Sequence, residues 1–133
     1  MSGSISDQDI PTSFGTFKPV GHLMLGPPDL ARSHAVFAAL REAGWPSEDV
    51  RHFKPGDTVA ELEAMVAGAG DMAGFGYEIT MLRRYLELSR EGYQWLLVKV
   101  SNSERASMAA ELARAQGARL AVHYRTLTVE ELI

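Results

Sequence analysis

Cysteine is absent from this 133-residue chain, which removes disulfides, thiolate zinc sites, iron–sulfur clusters and cysteine nucleophiles together. A chain without thiols also suits a reducing compartment. Basic runs are scarce. The longest is Arg83-Arg84, and 13 Lys and Arg against 17 Asp and Glu leave a net charge of −4. A nucleic-acid binder needs a basic footprint, and none is present. No apolar run approaches the roughly 18 residues that span a bilayer. The opening MSGSISDQDIPTSFGTFKP has no basic head followed by an apolar stretch, so no secretory signal is expected and the expected location is cytoplasmic.

What is present is ordinary globular usage, with 46% hydrophobic and 23% charged residues. Such a chain can bury a core without staples. Residues 1–17, rich in Ser, Gly, Asp and Pro, read as a flexible lead. Residues 18–133 read as one domain.

Val20 to Leu25 is a short apolar run closed by Gly26-Pro27-Pro28, the pattern of a strand ending in a turn. A helix follows, with Leu30, Phe37 and Leu40 on one stripe and Ser33 and His34 beside it, ended by Gly44. Val50 to Phe53 predicts a second strand. Thr58 and Glu61 have capping-box spacing, with Asp57 as a rival cap, for a short helix. A second inserted helix from about Tyr77 to Arg90 carries Ile79, Leu82, Tyr85 and Leu86 inward. Trp95 to Val100 is the strongest strand. Ser101 and Glu104 offer another capping box, before a helix with Met108, Leu112 and Ala115 on its apolar side. Leu120 to Tyr124 predicts a last strand, and Leu127 to Ile133 a terminal helical turn.

This order predicts an α+β fold: a ferredoxin-like split β-α-β sandwich with a four-stranded antiparallel sheet. The usual hairpin between strands 2 and 3 is replaced by a helical pair over about 57–92. The rival is an open three-layer α/β sheet, in which the inserted pair supplies the second helical layer.

The framework of a strand, a helix ending in LREAGW and a short strand resembles the heat-induced general stress proteins of bacteria, the YflT type. The second half, AGFGYEITMLRRYLELSREGYQWLLVKV followed by GARLAVHYRTLTVEELI, is similar to bacterial proteins in which a WLLV strand, a helix and an HYR-plus-acidic ending recur. The resemblance runs over most of the chain after about Val20 and implies no catalytic residues. The glycine-rich, apolar middle of those proteins shrinks here to Gly68–Gly76, which weakens any membrane-related role.

Strand side chains alternate, so Leu23 and Leu25 facing the crossover helices would leave His22 and Met24 on the other side. Trp95, Leu97 and Lys99 would join them. On the last strand Leu120, Val122 and Tyr124 form the apolar set, which leaves His123 and Arg125 on that same open face. With His52 nearby, the candidate ligand-binding set is His22, His52, Trp95, Lys99, His123 and Arg125. Three imidazoles could hold zinc or a proton relay. Metal-binding histidines normally have an orienting carboxylate or tight local spacing, and no HxH or HxxxH is present. Isolated histidines are the plainer reading, so neither a metal nor a cofactor is assigned.

Trp95, Leu97 and Met24 make too much apolar surface to leave wet. The inserted helices, a second subunit in a homodimer, or a ligand could cover it. As a pocket wall it suits a small carboxylate or an aromatic acid. A homodimer through the inserted helices is a further option. Gly68-Ala-Gly70-Asp71-Met72-Ala73 matches GxGxxA, but a helix precedes it where a dinucleotide fingerprint needs a strand. Arg83 and Arg84, with Glu87, read as a solvated helix face. Glu61 with Glu63, and Glu130 with Glu131, are close carboxylates with no pocket signal. GxSxG, HExxH, P-loop and EF-hand patterns are missing.

The expected function is a non-catalytic regulatory or stress-associated domain acting through self-association or a protein partner. The alternative is a small-molecule (organic acid or metal) binding module, or a cofactor-free enzyme in which a neutral histidine acts as base.

Overall fold

A computed structural model describes residues 21–54, 56, 58–60, 62–64, 76–125 and 129–133, the side chains of 76–82 and 129 excepted. The readings of residues 1–17, Asp57, Glu61, Gly68–Ala73, and the inward positions of Ile79 and Leu82 fall outside these residues.

The chain is an α+β domain. Strand β1 (His22–Leu25) leads to helix α1 (Leu30–Glu42), a 3-10 turn (Ser47–Asp49) and strand β2 (Val50–Phe53). Residues 56, 58–60 and 62–64 are helical. Helix α2 (Gly76–Arg90), strand β3 (Trp95–Lys99), helix α3 (Ser103–Ala115), strand β4 (Ala121–Tyr124) and strand β5 (Val129–Glu131) follow.

The sheet is antiparallel throughout, in the order β2-β3-β1-β4-β5. It has five strands where four were expected. The predicted C-terminal helical turn is β5 instead. Its register sets Val129, Glu130 and Glu131 against Tyr124, His123 and Val122, and the Leu132 amide donates to the Ala121 carbonyl at 2.8 Å. Leu132 and Ile133 then pack on the core. An apolar anchor after an acidic pair thus favours pairing over an isolated turn of helix, which is marginal on its own.

Two apolar layers sandwich the sheet. On one face Leu23, Leu25, Val50, Leu96, Val98 and Ala121 pack against α1 and α3. On the other, Met24, Phe53, Trp95, Leu97, Val122 and Tyr124 pack against Leu62 and against Tyr85 and Leu86 of α2. The face expected to be open is therefore covered by the chain's own inserted helices. Met24, Trp95 and Leu97 are at most 1% exposed, which removes the apolar surface that favoured a dimer there.

Helix starts differ from the sequence reading in instructive ways. The Asp29 carboxylate caps α1, accepting from the Arg32 amide at 2.8 Å. The buried stripe of α1 is Ser33, Val36 and Leu40, while Leu30 is largely exposed. Asn102, not Ser101, caps α3, accepting from the Arg105 amide at 2.8 Å. That start turns Ala106, Ala109, Ala110 and Ala113 inward and leaves Met108 exposed. Small side chains let α3 approach the sheet closely, so the larger residues misplace the stripe. Thr58 lies inside a helical turn rather than capping one: its amide and hydroxyl both donate to the Lys54 carbonyl. Among the described residues no helix is long and apolar enough to cross a membrane.

Candidate functional site

The register separates the candidate residues. His22 pairs with Tyr124 and Lys99, whereas His123 pairs with Leu23. His22, Lys99 and Trp95 thus point to the α2 side, and His123 to the α1 and α3 side. The expectation that His22 and His123 share a face is overturned. The sequence reading assumed that Val122 and Tyr124 face the crossover helices. In fact they complete the second core, and the Tyr124 hydroxyl meets that of Tyr85 at 2.6 Å.

His52 has the parity of His123 but sits on β2, three strand spacings from β4, or about 14 Å. Its Nε2 lies 2.7 Å from Gln94 Oε1. The three histidines therefore do not converge. Among the described residues no three His, Asp or Glu side chains are clustered to hold a metal. Trp95 is a core residue whose Nε1–H donates to Ser89 Oγ at 2.8 Å.

His123 and Arg125 do come together. With Gly21, Val100, Ser101, Asn102, Ser103 and Tyr124 they line an open hollow of about 280 Å³. It lies where β3 and β4 end, where β1 begins, and where α3 starts. Asn102 takes the Arg105 amide, and the amides of Ser103 and Glu104 have no acceptor inside the helix, as in any first turn. The Ser103 N–H and the helix dipole favour negative charge at this wall, and the Glu104 carboxylate on the same turn opposes them. Arg125, half exposed, adds a full charge.

His123 is 5% exposed, and its Nδ1 has no hydrogen-bond partner. The Glu130 Oε1 lies 3.8 Å away, too far for a hydrogen bond, and 3.9 Å from Arg125 Nη1. Burial pushes the imidazole below its ordinary value near 6.5. The Glu130 carboxylate opposes that shift and the Arg125 guanidinium adds to it. The folded state therefore resists the proton that the unfolded chain accepts. Its contribution to stability is complete above pH ~6.5 and is lost as pH falls toward the lower folded value. Urea midpoints should drop between pH 7.5 and pH 5, and His123→Gln should flatten that drop. An unchanged slope in the variant would mean that His123 does not titrate below its unfolded value.

Glu130 escapes sequence reasoning because its segment reads as helix. The run Val129-Glu130-Glu131-Leu132 does not alternate, and only the pairing with β4 shows that one carboxylate goes to each face. Glu131 accordingly meets Arg84 of α2 at 3.3 Å, a surface contact on a helix face where Arg83 and Arg84 are both exposed, as read from the sequence.

No known family model, no curated protein and no solved structure matches the chain.

Proposed function

We propose that the chain is a non-catalytic binding module on a ferredoxin-like split β-α-β framework, and that it takes a small oxyanion, a carboxylate first, at the start of α3. The framework reading is supported by β1 lying between β3 and β4, with β5 and the helices of residues 56–90 as additions. The observation that carries the binding reading is the hollow itself, bounded by the start of α3, by Arg125 and by the buried His123. Ser103, the first residue of α3, and Arg125 border that same hollow. Helix starts of this kind attract anions through exposed N–H groups and dipole together. The general stress proteins whose framework this chain resembles imply no catalytic residues, which favours a regulatory setting.

Acetate and inorganic phosphate are the probes. In an amide-resolved NMR titration at constant ionic strength, Ser103 and Glu104 should shift saturably with either. Arg125→Ala should weaken binding about tenfold, the loss of one charge-assisted contact at a half-exposed position. Absence of a saturable shift at those two amides would remove the reading.

A further inference from the structure

Helix α3 turns Ala106, Ala109, Ala110 and Ala113 inward and leaves Met108 on its outer side, 44% exposed. Leucine would serve the helix as well there, so the surroundings of the sulfur decide what methionine adds. Arg105, three residues earlier on the same helix face, places Nη1 3.6 Å from the Met108 sulfur. The same guanidinium lies over the Trp45 ring, 3.9 Å from its centroid. Trp45 is buried, and its Nε1–H donates to the Lys99 carbonyl at 3.0 Å. Its own carbonyl accepts from Arg41 at 3.0 Å. An exposed sulfur thus touches a cation that caps an anchored indole between the end of α1 and the end of β3. Met24, by contrast, is fully buried in the second core.

We propose that Met108 is a site of reversible oxidative modification by hydrogen peroxide or an oxidant of that class, and that Arg105 receives the product and reports it to Trp45. The thioether sulfur gives a lone pair to one peroxide oxygen, and an S–O bond forms as the O–O bond breaks. The departing hydroxide takes the proton left on the transferred oxygen and leaves as water. Sulfur loses two electrons and the peroxide gains them. The sulfoxide is polar, and on an exposed side chain it disturbs no core packing. A thioether is a weak acceptor, whereas the sulfoxide oxygen is a strong one, and Arg105 is the N–H donor already within reach. A guanidinium donates from its edge and stacks through its face, so Arg105 holds the sulfoxide while remaining over the indole. Return to the thioether is the work of methionine sulfoxide reductases, one for each sulfoxide epimer.

Dilute hydrogen peroxide applied to the full chain, followed by peptide mass mapping, should convert Met108 while Met24 stays reduced. In a two-dimensional proton–nitrogen spectrum the indole N–H peak of Trp45 should then move. A pair of methionine sulfoxide reductases should return it. The same treatment of Met108→Leu should leave that peak in place, and leucine keeps the helix propensity at an exposed position. In Arg105→Ala, Met108 should still oxidise but the Trp45 peak should no longer respond. Each protein is compared with itself before and after oxidation, so a general effect of either substitution on the fold drops out. Met108 resisting the oxidant as Met24 does would overturn the modification site. A Trp45 peak that ignores the Met108 sulfoxide, or that moves equally in Met108→Leu or Arg105→Ala, would overturn the relay through Arg105.

Discussion

Trp95→Ala should lower the unfolding free energy by about 3–5 kcal/mol, the usual cost of emptying a buried Trp site. The indole is fully buried. Tyr85 of α2 meets it edge-on with centroids 5.0 Å apart, and Tyr93 lies tilted at 6.1 Å. Ser89 accepts its N–H, and the Ser89 hydroxyl also lies 3.4 Å from the Thr58 hydroxyl. One side chain therefore links β3 to α2 and, through Ser89, to the helical residues after β2. Space around it is tight. A Cβ placed on Gly26 would sit 2.8 Å from Trp95 Cζ3 and 3.1 Å from Leu120 Cβ, so glycine is required where the chain leaves β1. Urea denaturation measures the effect. A cost below about 1 kcal/mol would mean that α2 does not cover this face, and the second core would go with it.

Much of this architecture is legible in the sequence, because its strongest signals are local. Turn residues bracket Val20–Leu25, a β-branched and aromatic run marks Trp95–Val100, and period-2 alternation correctly assigns Leu23, Leu25, Leu96 and Val98 to one face. The parity of β4 is different. Leu120-Ala121-Val122-His123-Tyr124 has apolar residues on both faces, as a strand buried on both sides must. Hydrophobicity alone then does not decide which set faces α1 and α3, and the structure turns Val122 and Tyr124 to the opposite side.

That single slip moved His123 to the wrong face and created a triad of histidines that the register dissolves. Of the six candidate residues, His123 and Arg125 alone wall the hollow. The other ingredients are invisible locally. The helix-start amides depend on Asn102 rather than Ser101 being the cap. Glu130 reaches His123 through a pairing between β4 and β5 that only the fold supplies.

Tyr85 and Tyr124 test the joint between α2 and the sheet in a way that is independent of Trp95. Their hydroxyls are 2.6 Å apart and buried, at a position where β4 is only one residue past His123. Tyr85→Phe or Tyr124→Phe deletes one half of that bond, which should cost about 0.5–1.5 kcal/mol, the net worth of one hydrogen bond. Removing both replaces a polar contact by an apolar one of nearly the same shape. The double variant should therefore lose clearly less than the two single losses added together, with a coupling of about 0.5–3 kcal/mol. Chemical denaturation of the four proteins completes the cycle. Strict additivity would mean that the two rings do not meet, and α2 would have to sit elsewhere on the sheet. Because Tyr124 also borders the hollow, the same variants report on the site. Tyr85→Phe should leave acetate binding at the start of α3 unchanged, since its ring contacts β4 only from the opposite face.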